Sequence, residues 1–108
     1  MKIKNHAEPM RIIEEIKEIL EKHKEELYLK YSVREIGVFG SFVRGEQKKR
    51  SDIDILVEFD EENIPGLLKF IEMERYLEKL LRKKVDLVRK GGIHPEIRDT
   101  ILKEVVHI

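Results

Sequence analysis

The sequence contains no cysteine, so no disulfide framework can staple it. It has no net charge: 22 basic and 22 acidic side chains cancel and the pI is near 6.9, so the whole-molecule field exerts no long-range pull on nucleic acid or anionic lipid. Any polyanion must be met locally. Apolar runs are only a few residues long, far short of the roughly 20 that a membrane-spanning helix needs, and the N-terminal Met-Lys-Ile-Lys-Asn lacks the apolar stretch of a signal peptide. Amides are confined to Asn5, Gln47 and Asn63. These absences point to a small intracellular domain, expected in the cytoplasm.

What is present is charge and hydrophobic periodicity. The charged fraction is 41%, against a typical value of about 25%. A chain of 108 residues buries about 65% of the surface its unfolded form exposes, so one modest core is feasible and residues 1–108 read as one domain. From Pro9 to about Lys30, Ile12, Ile16, Ile19, Leu20 and Leu27 recur at helical spacing. Val33 to Phe39 reads as a buried strand ending at Gly40, Ser41 to Glu46 as a short helical turn, and Gln47 to Ser51 as a loop. Ile53 to Phe59 is a second strand with acidic groups on one side. Beyond the possible N-cap segment Asp60 to Asn63, a helix opens near Pro65 and carries Leu67, Phe70, Ile71, Leu77, Leu80 and Leu81 to about Arg82. Val85 to Val88 is a third strand and Gly91-Gly92 a turn. Pro95 opens a last helix with Ile97, Ile101, Val105 and Ile108 on one face. The expected order is αβαβαβα, an α/β (α+β) arrangement of helices packed on a small sheet. Spacing alone leaves the strand directions open.

Asp52 and Asp54 are two residues apart at the start of a strand. The period of two points both carboxylates to one face, ~6.5 to 7 Å apart, while Ile53 and Ile55 point into the core. Paired anions at that distance suit a hard divalent cation such as Mg²⁺, which binds one or two carboxylates together with substrate phosphates. Taken alone, the same pair fits a turn cap followed by a solvated strand carboxylate. Asp86 interrupts an otherwise apolar strand. If that strand neighbours the Asp54 strand, three carboxylates converge and, with phosphate, could hold two metal ions that assist in-line displacement at phosphorus; otherwise Asp86 is a surface acid.

Gly40-Ser41 stands between a strand and a helical turn, where backbone N–H groups and the Ser hydroxyl can face an anion. Gly40 to Gly45 is followed by Glu46-Gln47 where a Walker motif requires Lys-Ser/Thr, so that nucleotide grip is rejected. The four histidines lack zinc-ligand spacing, and no Gly-x-Ser-x-Gly elbow supports a Ser-His-Asp hydrolase. Lys48-Lys49-Arg50 has no aromatic interleaving for base stacking, so direct nucleic-acid binding is not expected.

Together, Gly40-Ser41, ten residues, then Asp52-x-Asp54, with Asp86 in a later strand, is far more specific than any of its parts. GVFGSFVRGEQKKRSDIDILVEF at 37–59, VDLV at 85–88 and the looser tail at 97–108 resemble the nucleotidyltransferases of the DNA polymerase beta superfamily. Within it they are most similar to the minimal nucleotidyltransferases (MNT), antitoxin-like proteins paired with HEPN-domain toxins. The resemblance implies a nucleotidyltransferase palm, a small mixed β-sheet backed by helices. It implies two Mg²⁺ ions held by Asp52 and Asp54, with Asp86 as third ligand and acceptor of the hydroxyl proton. Gly40 and Ser41 would hold the triphosphate of ATP, and Arg44 would either neutralise it or brace the turn. Val43 and His107 depart from the family, which usually carries a smaller residue and an aromatic there.

The resemblance implies that AMP moves from ATP to a hydroxyl, a tyrosine of a cognate HEPN toxin, with this chain as antitoxin. Two alternatives are a non-catalytic module that neutralises its partner by binding, and a transferase acting on a small molecule or an RNA end. An amphipathic helix of so small a domain could also serve a homo-oligomer.

Overall fold

A computed structural model describes residues 12–108; the expected helix start at Pro9 lies outside them. Helix α1 runs Ile13–Lys22 and α2 Lys24–Tyr31. One continuous helix was expected here, and the break falls at His23. Its ring nitrogen Nδ1 lies 2.8 Å from the Ile19 carbonyl, the acceptor a continuous helix offers to the N–H of residue 23. That N–H turns instead to Leu20, 3.1 Å away. A side chain occupying a ladder position is a recognised cause of a helix break.

Strand β1 (Val33–Phe39), the short helix α3 (Ser41–Arg44) and strand β2 (Ile53–Phe59) follow the expected layout. Asp60 caps a 3₁₀ turn over Glu61–Asn63 by accepting from the Glu62 N–H at 3.1 Å. Helix α4 spans Leu67–Leu81 and buries Met73, Leu77 and Leu81, one stripe at a spacing of four. Leu67, expected on that stripe, is exposed instead. Strand β3 is Val85–Arg89, and Lys90–Gly92 makes a 3₁₀ turn.

Helix α5 is Pro95–Glu104, capped by His94, and ends four residues before the expected end at Ile108. Val106–His107 forms a fourth strand, β4, against Gly37 and Val38 of β1. Two β-branched residues in succession favour extended backbone, and β1 offers them an unpaired edge. Gly37 makes the approach possible: a Cβ there would meet Val105 Cγ2 at 2.7 Å and the Val106 carbonyl at 3.0 Å. Ile97, expected on the packed face of α5, is exposed, while Ile101 is buried.

The sheet order is β3-β2-β1-β4, with β2/β3 parallel and the other pairs antiparallel. The expectation of a small mixed sheet backed by helices holds. Alternation along the strands divides the core. Ile36, Val38, Ile53, Ile55, Val57, Val85 and Leu87 face α1, α2 and α4 in the main cluster, whereas Phe39 and Leu56 meet Ile93 and Ile101 beneath α5.

Candidate active site

The parallel register pairs Asp54 of β2 with Asp86 of β3, and the antiparallel register pairs Asp54 with Phe39 of β1. Asp54 therefore sits between two neighbours on the sheet face that α5 shares. Asp86, an acid in an apolar strand, is brought to it by that register, and Asp52 lies two residues upstream. Asp54 is half-buried, whereas Asp52 and Asp86 are exposed.

The electrostatics follow from this crowding. Burial, the Asp86 charge and a hydrogen bond to Asp86, and then the Asp52 charge push the Asp54 carboxyl up from 3.8 to about 6, with Arg44 pulling weakly the other way. Like charges that disfavour ionisation next to one another are the setting in which a hard divalent cation is favourable. The donor set, carboxylate oxygen only, suits Mg²⁺. Among the described residues no three acidic or imidazole side chains draw close enough to hold a metal ion by protein groups alone. Mg²⁺ ordinarily completes such a shell with water and substrate phosphates.

Gly40 is buried behind Asp54 with φ +83°, a left-handed conformation that L side chains rarely adopt. A Cβ at this position would stand 2.0 Å from Asp54 Oδ2. Glycine is thus required twice, by backbone and by space. Its N–H does not face open solvent: it donates to Glu104 Oε2 at 2.7 Å. The contribution of Gly40 is therefore shape and clearance.

Ser41 starts α3, whose first N–H groups precede any intrahelical acceptor. The turn is pinned by Phe42, 1% exposed, and by Val43, which packs against the main core. Arg44 Nη1 donates to Glu104 Oε1 at 2.9 Å and Oε2 at 3.1 Å, and its Nε donates to Glu46 Oε1 at 2.9 Å. Hydrogen bonds to Glu46 and then Glu104 raise its pKa further and keep it charged. These bonds hold the Arg44 guanidinium against Glu46 and against the end of α5.

Sequence reasoning missed Glu104, whose partners lie 60 and 64 residues away. One signal was available. An acid in the last turn of a helix opposes the helix dipole, and such a mismatch marks a residue held for another reason. The Lys48-Lys49-Arg50 loop is exposed and tied down by Ser51 and Lys83 contacts to its backbone. Tyr31 and Tyr76 pack together and bond Glu72 and Glu26, away from the aspartates. A groove of about 230 Å³ between Phe59, Ile64, Arg89, Arg98 and Leu102 lies beyond the other end of β2, and none of the candidate residues lines it.

Residues 10–108 match the family model described as nucleotidyltransferase domain. The chain is 58% identical over 99 residues to the protein adenylyltransferase MntA of Thermococcus cleftensis, covering 92% of this chain and 98% of that one. A solved structure provisionally described as a minimal nucleotidyltransferase superposes with a TM-score of 0.74 at 32% identity, covering 92% of this chain and 98% of that one. A chain from a complex of tri-AMPylated Shewanella oneidensis HEPN toxin with MNT antitoxin shares the fold, with a TM-score of 0.62 at 19% identity over 85% of this chain and 70% of that one.

Proposed function

The chain belongs to the nucleotidyltransferase-domain family, and from that premise we propose that it transfers AMP from ATP to a hydroxyl, a tyrosine of a HEPN-domain partner, with Mg²⁺ as cofactor. The observation that carries this reading is the Asp54–Asp86 pairing across parallel strands, with the Asp54 carboxyl pushed up by its neighbours and by burial. The adenylyl group and the protein acceptor are supported by the name of the Thermococcus relative, and the HEPN partner by the Shewanella complex.

Asp52, Asp54 and Asp86 are the residues that would hold two Mg²⁺ ions together with the substrate phosphates. When bound, the ions supply offsetting positive charge at the phosphoryl oxygens and lower the pKa of the attacking hydroxyl. Gly40 gives the triphosphate room, and Ser41 offers its hydroxyl and the start of α3 as donors. Asp86 receives the proton as the acceptor oxygen bonds to the α-phosphorus and the bond to pyrophosphate breaks. Arg44, braced by Glu46 and Glu104, keeps the turn in shape. On this reading, acceptor choice falls to the docked partner.

The test is transfer from ATP labelled at the α- or the γ-phosphate in the presence of the candidate partner. Label carried over from α alone supports the reading; label from γ identifies a kinase, and label from neither identifies a module that acts by binding. Asp52→Asn with Asp54→Asn should abolish α-label transfer while partner binding persists.

A further inference from the structure

We propose that Glu104, at the end of α5, is a positioning residue for this reaction: its carboxylate holds the Gly40 to Arg44 turn in the shape that clears Asp54 and receives the nucleotide. The inference rests on the transfer reading and extends it to an element that carries none of the reacting groups.

Three observations converge on Glu104. Its oxygens accept from the Gly40 N–H at 2.7 Å and from Arg44 Nη1 at 2.9 and 3.1 Å, so one carboxylate ties the first residue of the turn to the last. The Glu104 side chain is only 19% exposed, so its bond to the Gly40 N–H competes with little water, whereas the Arg44 guanidinium, 46% exposed, is more open to solvent. Glu104 also cannot drift, because the chain directly after it is fastened to β1. Val106 and His107 pair with Val38 and Gly37, and the Ile108 N–H donates to Ile36 at 3.0 Å.

The consequence for the site is geometric. Gly40 has no latitude, since Asp54 Oδ2 fills the space where a side chain would begin. A rotation of the Gly40 peptide therefore moves the backbone toward Asp54 or away from it, and Ser41 moves with it. Glu104 fixes that peptide by its N–H. Arg44 acts through the same carboxylate, while its second bond, to Glu46, is local, two residues further along the chain. The dipole penalty of an acid at this helix end is offset by the two partners it reaches.

The experiment compares wild type, Glu104→Ala and Glu104→Gln in two readouts: amide hydrogen exchange at Gly40 in the free protein, and α-label transfer with the partner, both well below each variant's melting temperature. In Glu104→Ala, Gly40 exchange should accelerate at least ~10-fold and kcat should fall roughly 10- to 100-fold, the range a small misplacement of reacting groups produces. Glu104→Gln keeps an acceptor oxygen. It should restore Gly40 protection and bring kcat back to within about fivefold of wild type, a rescue that a merely stabilising contact would not give. Unchanged Gly40 exchange and kcat in Glu104→Ala, or a Gln variant as impaired as the Ala variant, would overturn the proposal. Wild-type protein that transfers no label would overturn the transfer reading itself; the Gly40 exchange comparison still decides whether Glu104 holds the turn.

Discussion

The two faces of the sheet are built from alternate residues of the same strands, yet they do different work. On one face, Ile53, Ile55, Val57, Val85 and Leu87 are sealed by α1, α2 and α4. On the other, α5 covers Phe39 and Leu56 and leaves the end that carries Asp54 and Asp86 open. In β2 a single residue step separates Ile53 and Ile55, fully buried, from Asp54, crowded by charge. On the proposed reading, stability and chemistry fall to opposite sides of one strand. Changes on the two faces should separate in measurement.

The sharpest challenge to that division is Leu77→Ala on the sealed face. Leu77 is fully buried, so its truncation should cost about 2–5 kcal/mol in chemical denaturation. The kcat of the molecules that remain folded should not change. A kcat loss larger than the unfolded fraction explains would show that the faces are coupled.

Gly40→Ala tests the open face. The added methyl meets Asp54 Oδ2 on a backbone of positive φ, so transfer should fall about 100-fold or more, equivalent to roughly 2.7 kcal/mol of barrier. Retained transfer would remove Gly40 from the site.

The smallest effect concerns pH. Raised from 3.8 to about 6, Asp54 favours the folded state when protonated. Its contribution is fully present below the unfolded value of 3.8 and is lost as pH rises through about 6. Without metal, Asp54→Asn should match wild-type stability near pH 4. Above pH 6 it should exceed wild type by about 1–2 kcal/mol, discounted for the solvent that screens a half-buried group. A difference independent of pH would show that Asp54 is not under charge strain.

How much of this was legible in the sequence follows from how local each feature is. Gly40, Ser41, Asp52 and Asp54 lie within 15 residues, and the period of two was enough to expect the two aspartates on one face, although β2 begins only at Ile53, one residue after Asp52. The approach of Asp86 depended on strand order and direction, which hydrophobic spacing does not encode. The His23 break arose from one side chain taking a backbone acceptor. Strand β4 continued an apolar period that also suited a helix, and was decided by the edge of β1 and the missing side chain of Gly37. Glu104 was silent because its partners lie 60 and 64 residues away.

The claim on which the rest depends is that Asp86, facing Asp54 across the parallel register, takes part in moving the α-phosphoryl group. It is tested most directly by incubating the chain and its partner with α-labelled ATP and comparing wild type with Asp86→Asn. The account predicts labelled partner with wild type, and at least about a 1000-fold loss of rate, roughly 4 kcal/mol, with partner binding intact in the variant. Transfer by Asp86→Asn at the wild-type rate would contradict it.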